Sequence, residues 1–192
     1  MEYETKTDLI LPFSGEWMVS NGGRTEETNR HFRKDGPENQ IYSYDFREEF
    51  TGTREKLEDY KVYRKEVLAP ANAKVIQVID GSYDMEPGQV DRSVGVGNAI
   101  IFDFGNGEYG LICHLSHKSI RVKVEDELKQ GDVIALCGNS GNTSQPHIHF
   151  NLQDGPFMHN SKGLPAQFKK ILVNGNIREK YEPVRFEKVS NV

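Results

Sequence analysis

Long apolar runs are missing from this sequence: nothing approaches the roughly 18 consecutive apolar residues that a membrane-crossing helix needs. The amino terminus, Met1-Glu2-Tyr3-Glu4-Thr5-Lys6, lacks a basic stretch followed by an apolar one, so no secretory signal is read there. A basic surplus is missing too. Lys and Arg number 24 against 29 Asp and Glu, a net charge of −5 with the signs interspersed. Nucleic-acid binding, which needs a basic patch, is therefore not indicated. Cysteine is scarce, with Cys113 and Cys137 each inside an apolar run and no CxxC pair. Buried free thiols are the expected reading, with a disulfide or thiolate ligation as the alternative. No linker rich in Pro, Gly or Ser and no internal repeat divides the chain, so a single domain over residues 1–192 is expected.

What is present is a soluble composition, 36% hydrophobic and 28% charged, in a chain long enough to bury a sizeable core. Residues 8–20 read as a strand, a turn at Ser14-Gly15 and a second strand. Residues 21–39 form a long polar loop carrying His31, and loops of such length are often functional. In Gln40-Ile41-Tyr42-Ser43-Tyr44-Asp45-Phe46, alternation predicts a strand with Tyr42, Tyr44 and Phe46 on one face and Asp45 on the other. Residues 47–66 are highly charged and are expected to be a solvated excursion with one helical turn near residues 54–59.

From Val67 onward, β-branched runs alternate with Gly, Asp and Asn turns, the pattern of an all-β sandwich or barrel. Strands are expected at residues 67–81, 98–104, 108–115, 119–124, 132–137 and 147–152, with a long loop at 82–97. Residues 67–155 are thus the β core, and residues 156–192 a tail with strands at 167–173 and 184–189 around Asn174-Gly175-Asn176.

One stretch organises the rest. The polar loop Gly138-Asn139-Ser140-Gly141-Asn142-Thr143-Ser144-Gln145 leads into Pro146-His147-Ile148-His149-Phe150-Asn151-Leu152. Period two puts His147, His149 and Asn151 on one strand face and Ile148, Phe150 and Leu152 on the other. Two imidazoles so spaced can serve one metal, or one metal and one substrate; the alternative is a pair of ordinary surface rings. His114 closes the apolar run Tyr109–Cys113, a position more often structural than catalytic, while His117 and His159 lie in polar loops and carry no assigned role. A catalytic zinc site needs about three His, Asp or Glu ligands with an open position.

The block Gly138 to Phe150 resembles the signature of the LytM-type (M23, lysostaphin-like) zinc metallopeptidases, a Gly/Ser-rich loop followed by Pro-His-Leu-His-Phe. Further blocks agree in order: Leu68-Ala69-Pro70 with Ala73-Lys74-Val75, Gly97-Asn98-Ala99-Ile100-Ile101, His114-Leu115-Ser116, and Gln130-Gly131-Asp132-Val133-Ile134. The family usually carries its first two ligands as His-x-x-x-Asp, but Ile41 stands four residues before Asp45 here. One branch places that histidine on a preceding loop, and Asn29-Arg30-His31 with Gln40 to Phe46 matches its pattern.

The resemblance implies an all-β antiparallel sandwich, or barrel-sandwich hybrid, with long loops around a groove. It implies zinc held by His31, Asp45 and His149, the first two within the N-terminal residues 1–66, and catalytic His114 and His147 beside an attacking water. It also implies a zinc endopeptidase of bacterial peptidoglycan cross-bridges or stem peptides, with loops 21–39, 82–97 and 139–146 as groove walls. Its cell-envelope or extracellular setting stands against the missing export signal, which points to the cytoplasm if Met1 is the true start. Two other readings stay open: an inactive LytM-like binding or regulatory module, and a histidine phosphocarrier of similar fold.

Overall fold

The computed structural model describes residues 2–49 and 54–192. In chain order its strands are β1 (Trp17–Asn21), β2 (Tyr44–Arg47), β3 (Glu66–Leu68), β4 (Ala73–Ile79), β5 (Asn98–Asp103), β6 (Tyr109–Leu115), β7 (Glu127–Leu128), β8 (Val133–Leu136), β9 (Ile148–Gln153), β10 (Gly163–Leu164), β11 (Phe168–Val173), β12 (Asn176–Tyr181) and β13 (Lys188–Asn191). Helical structure among the described residues is limited to two 3₁₀ turns, Glu38–Gln40 and Leu57–Asp59.

The main sheet runs β12-β11-β13-β1-β2-β9-β6-β5-β4-β7, with β10 on β9, and β3 pairs β8 in a second small sheet. All these strand pairs are antiparallel, and the main sheet does not close into a barrel. The all-β antiparallel architecture expected from the sequence is therefore present.

The central strands separate two faces. Tyr44 and Phe46 of β2, Ile148, Phe150 and Leu152 of β9, Ile112 of β6, and Ile100 and Phe102 of β5 join the main core. Burying one such side chain contributes about 1.5–3 kcal/mol, so these alternating residues set the register. A smaller cluster of Ala99, Ile101, Leu111 and Cys113 covers the opposite face of β5 and β6. Because β5 is buried on both faces it reads as a continuous apolar run, Ala99-Ile100-Ile101-Phe102. On β2 and β9 that opposite face instead carries Asp45, His149, Asn151 and Gln153, all buried.

Several expectations are corrected. Residues 119–124 are not a strand, and the paired element is the shorter β7 at Glu127–Leu128. Ile120 and Val122 pack on the core while Arg121 N–H donates to the Ile134 carbonyl, so the alternation there reports one-sided burial of an extended segment without a ladder. Residues 8–13 form no strand beyond the single Leu9–Phe168 bridge, although Leu9, Leu11 and Phe13 are fully buried. The strand expected over 40–46 begins only at Tyr44, after the Glu38–Gln40 turn, and Tyr42 packs on Phe32 at 5.7 Å instead of joining the face of Tyr44.

The stretch 47–66 holds its helical turn at Leu57–Asp59, but Leu57, Tyr60 and Val62 are buried, so it is not merely solvated; residues 50–53 of it lie outside the described residues. In the tail, Asn174-Gly175 makes a tight turn with positive φ at both residues (49° and 78°), joining β11 to β12 as a hairpin. β12 was not expected: its residues, Asn-Ile-Arg-Glu-Lys-Tyr, are almost all exposed and carry no apolar alternation.

Candidate metal and catalytic centre

The register of three neighbouring strands puts Asp45 of β2 beside His149 of β9, and His149 beside Cys113 of β6. All three project from the face opposite the main core. Asp45 is the hub. Its Oδ1 lies 2.9 Å from His149 Nδ1 and 3.5 Å from His147 Nε2, and its Oδ2 lies 2.9 Å from His31 Nε2. Asn21, opposite Asp45 on β1, donates its Nδ2–H to Oδ2 at 2.6 Å.

His31 reaches Asp45 because its loop is pinned from below. Asn29, fully buried, donates through Nδ2 to the carbonyls of Gly23 and Ser43, each at 3.0 Å, and its Oδ1 accepts from His31 N–H at 3.0 Å. Asn21 Oδ1 accepts from Arg30 N–H at 3.2 Å, tying the same loop to β1.

His114 enters by breaking its strand's alternation. Cys113 faces the smaller cluster, so regular pleating would turn His114 into the main core, the side taken by Ile112. A φ of +61° at His114 reverses the backbone and sends the ring into the cleft, while Leu115 returns to the core. Positive φ at such a residue is strained and persists where the surroundings hold it. Here they do: His114 N–H donates to Val96 O at 3.1 Å and Nδ1 donates to Ser140 O at 2.8 Å. His147 is held in the same way, Nδ1 donating to Gln145 O at 2.8 Å with Thr143 Oγ1 at 3.1 Å. Since a carbonyl only accepts, both rings carry their proton on Nδ1 and keep Nε2 for the cleft. The two rings lie 4.9 Å apart.

The electrostatics follow from this crowding. Burial opposes ionisation of Asp45, but His31 and His147, with hydrogen bonds from His147 and His149, override it and hold the carboxyl well below its usual range. Burial pushes His114 well down, and His147 and His149 push it further, so the neutral ring is favoured. His149 is lowered by burial against the opposing pull of Asp45, whereas at His147 the carboxylate of Asp45 outweighs burial and raises the pKa.

The donor set fits zinc. His31, Asp45 and His149 present ligand atoms within 4.8 Å of one another, and His114, His147 and His149 form a second such group sharing His149. Carboxylate oxygen and imidazole nitrogen are zinc's ordinary protein donors. Each imidazole–carboxylate contact requires either an N–H or a shared cation, and Nε2 of His149 is buried with no hydrogen-bond partner at all.

All five expected side chains line one cleft of about 320 Å³. Its walls differ from those expected. Loop 21–39 and the 139–146 loop contribute, but 82–97 does not line it. That loop braces the 139–146 loop from behind, with Gly88 N–H on Ser144 O at 2.8 Å and Asn142 N–H on Gly95 O at 2.7 Å. The remaining wall includes Arg47 and, from the tail, Arg185, neither singled out by the sequence. Arg47 was foreseeable as the next residue on the face of Asp45, and Asn29 stood in the block Asn29-Arg30-His31 without a role of its own; nothing in the sequence pointed to Arg185 or Asn21. Burial lowers the Arg47 guanidinium pKa, and Arg185 and Arg30 lower it further. His117 stacks on Tyr83 at 4.3 Å and His159 is exposed, both away from the cleft. Cys113 and Cys137 are buried free thiols, as expected. No helix among the described residues is long and apolar enough to cross a membrane.

Residues 56–162 match the model of peptidase family M23, a segment that contains His114, His147 and His149 but neither His31 nor Asp45. The chain is 28% identical over 90 residues to the cell division protein DipM of Caulobacter vibrioides, an alignment covering 47% of this chain and only 14% of that protein. Among solved structures, a zinc-containing peptidase from Vibrio cholerae is similar over 83% of this chain and 39% of its own (TM-score 0.52, 19% identity). The M23 metalloprotease pseudoalterin, from the deep sea, is similar over 94% and 96% (TM-score 0.52, 15% identity), which shows a shared fold. The family match extends over more than half of the sequence and takes in the segment that carries both histidines of the Pro-His-Ile-His block, so the chain belongs to peptidase family M23.

Proposed function

We propose that this chain is a zinc-dependent endopeptidase that cleaves peptide bonds of bacterial peptidoglycan, in cross-bridges or stem peptides. His31, Asp45 and His149 hold the zinc, and His114 and His147 move the protons. The observation that carries this reading is the division of donors around His149: a carboxylate with imidazoles on one side, and two carbonyl-anchored imidazoles on the other. The chemistry supplied by zinc when bound there is Lewis acidity, which polarises a scissile carbonyl and makes an attacking water more acidic.

The protein's own contribution is positioning and proton transfer. With Nδ1 tied to Ser140 O and Gln145 O, His114 and His147 cannot rotate away, and each directs Nε2 at the reacting centre. A neutral ring accepts the proton of the attacking water; a protonated one stabilises the developing oxyanion or delivers a proton to the leaving amine. The buried Asp45 carboxylate favours the charged form of His147. The whole chain acts as one domain, because β1, β2 and the tail supply side chains to the same cleft as β6 and β9. An inactive binding module finds no support in a missing site residue, and a substrate in the cell wall places the protein at the envelope.

Metal analysis with hydrolysis assays tests this. Purified protein is expected to hold about one zinc per chain, lost in His149→Ala and Asp45→Ala. His114→Ala should keep zinc and lose cleavage of peptidoglycan or a glycine-rich peptide by about 10²–10⁴-fold. Zinc binding that survives loss of both His31 and Asp45 would overturn the ligand set.

A further inference from the structure

We propose that the cleft contains a carboxylate-binding subsite beside the catalytic centre, formed by Arg47 and Arg185 with Arg30 at its mouth, so that the peptide taken carries a free carboxylate near the scissile bond. The peptidase reading supplies the scissile bond; the guanidiniums alone supply the anion site.

Three arginines line this cleft, in a chain whose net charge is −5. Several basic residues elsewhere have an acidic partner: Arg24 has Glu182, Arg54 has Glu48 and Lys188 has Glu49. Among the described residues, Arg30, Arg47 and Arg185 form no ion pair. Arg47 donates one hydrogen bond, Nη1 to Gln145 Oε1 at 3.1 Å, and Arg185 donates Nη1 to Glu27 O at 3.4 Å while its guanidinium lies 4.7 Å from the Phe186 ring centre. The Nε of each is buried and has no partner. A buried charged donor without an acceptor is costly, and like charges side by side add repulsion. An anion in the cleft relieves both. Asp45 acts on Arg47 only through space and makes no ion pair with it, its oxygens being taken by Asn21, His31 and His149.

The placement says where the anion sits. Arg47 shares the face of Asp45 on β2, and the register that pairs Phe46 with Ile148 sets it beside His147. Arg185 comes from the tail segment latched onto β1 by Phe186 N–H donating to Val19 O at 2.8 Å. The cationic wall therefore lies on the β1 side of the centre, away from His114. The guanidinium fork matches a planar carboxylate in two-point contact, and a peptide offers that group as a free C-terminus or as an acidic side chain.

The test uses the full zinc-loaded chain titrated with acetyl-glycyl-glycine, its C-terminal amide, and acetyl-glutamyl-glycinamide, read by NMR of the arginine Nε–H signals. At least one carboxylate-bearing peptide is expected to bind at least about tenfold tighter than the neutral amide and to shift Arg47 and Arg185. Which of the two does so identifies the C-terminus or the side chain as the source. In Arg185→Gln and Arg47→Gln the preference should fall to about twofold or less, with partial recovery in Arg185→Lys. Equal binding of all three peptides, or a preference untouched in both Gln variants, overturns the subsite. The arginine signals of the unaltered chain keep the test independent of whether the variants fold. Carboxylate preference without hydrolysis of peptidoglycan or a glycine-rich peptide leaves the subsite standing and removes the peptidase reading; hydrolysis of either without carboxylate preference does the reverse.

Discussion

Asn21 is a small residue on which a large effect should rest. Its amide makes two links: Nδ2–H to Asp45 Oδ2 at 2.6 Å, and Oδ1 from Arg30 N–H at 3.2 Å. The first orients a carboxylate proposed to bind zinc; the second holds the loop that delivers His31. Asn21→Ala removes both while leaving the apolar register of β1 unchanged. A hydrogen bond to a charged group is worth about 1.5–3 kcal/mol, and water reaching a half-buried position returns some of it, leaving about 1.5–2 kcal/mol. Expressed as zinc affinity this is a loss of about 10–30-fold, in line with substitutions behind other metal ligands. Competition with a chromophoric chelator of known affinity measures it directly, and the melting curve of the chelated protein checks the fold. If the affinity of Asn21→Ala stays within about twofold of the parent, strand pairing alone orients Asp45 and the reasoning fails.

Gly97 sits at a φ of +64°, with its Cα so close to the adjoining loop that an added Cβ would meet Ser140 O at 2.3 Å. Gly97→Ala should lower stability by about 1–3 kcal/mol from the strained backbone alone, and slow hydrolysis as well, because Ser140 O is the acceptor for His114 Nδ1. Normal melting with normal turnover would show that the loop yields freely. Phe150, on the core face of β9, is 0% exposed, so Phe150→Ala should cost about 3–5 kcal/mol in urea denaturation. A loss below about 1 kcal/mol would mean that the core collapses to fill the space. At Glu182, burial opposes ionisation, but hydrogen bonds from Arg24 and Gln167 hold the carboxyl below the ordinary value of 4.5. Its contribution is therefore complete above pH 4.5 and is lost as pH falls through the depressed folded value. Glu182→Gln should flatten that region of the acid-unfolding curve, and an unaltered curve would remove Glu182 as its cause.

How far the site could be read in advance depended on whether geometry was local. Period-two alternation around Asp45 and His149 states which face each occupies, and the structure places both there because apolar neighbours on either side fix the pleat. The direction of His114 was not legible. Alternation from Ile112 assigns it to the core, and only the reversed φ, set by Val96 and Ser140 from other loops, turns it outward. Residues 119–124 misled because an extended segment buried on one side carries the same alternation as a paired strand. β12 escaped notice for the opposite reason: pairing on one edge, with its side chains in water, leaves only the Asn174-Gly175 turn as a signal. Arg185 joins the cleft through strand order, which brings β13 and β1 together from opposite ends of the chain.

The hub position of Asp45 also bears on how the protein is made. His147 and His149 are neighbours in the chain and can offer a weak metal site while it is still unfolded, whereas Asp45 lies 104 residues from His149. Their meeting requires β2 to pair with β9, a long-range closure of the kind that slows the folding of β proteins. With the proposed ligand set, tight metal capture would thus be a late event, possible only once β1, β2, β9 and β6 stand abreast. If that set holds zinc, the appearance of chelator-resistant zinc during refolding should time the completion of the central sheet, and metal present from the outset should stabilise the finished state more than it hastens arrival there.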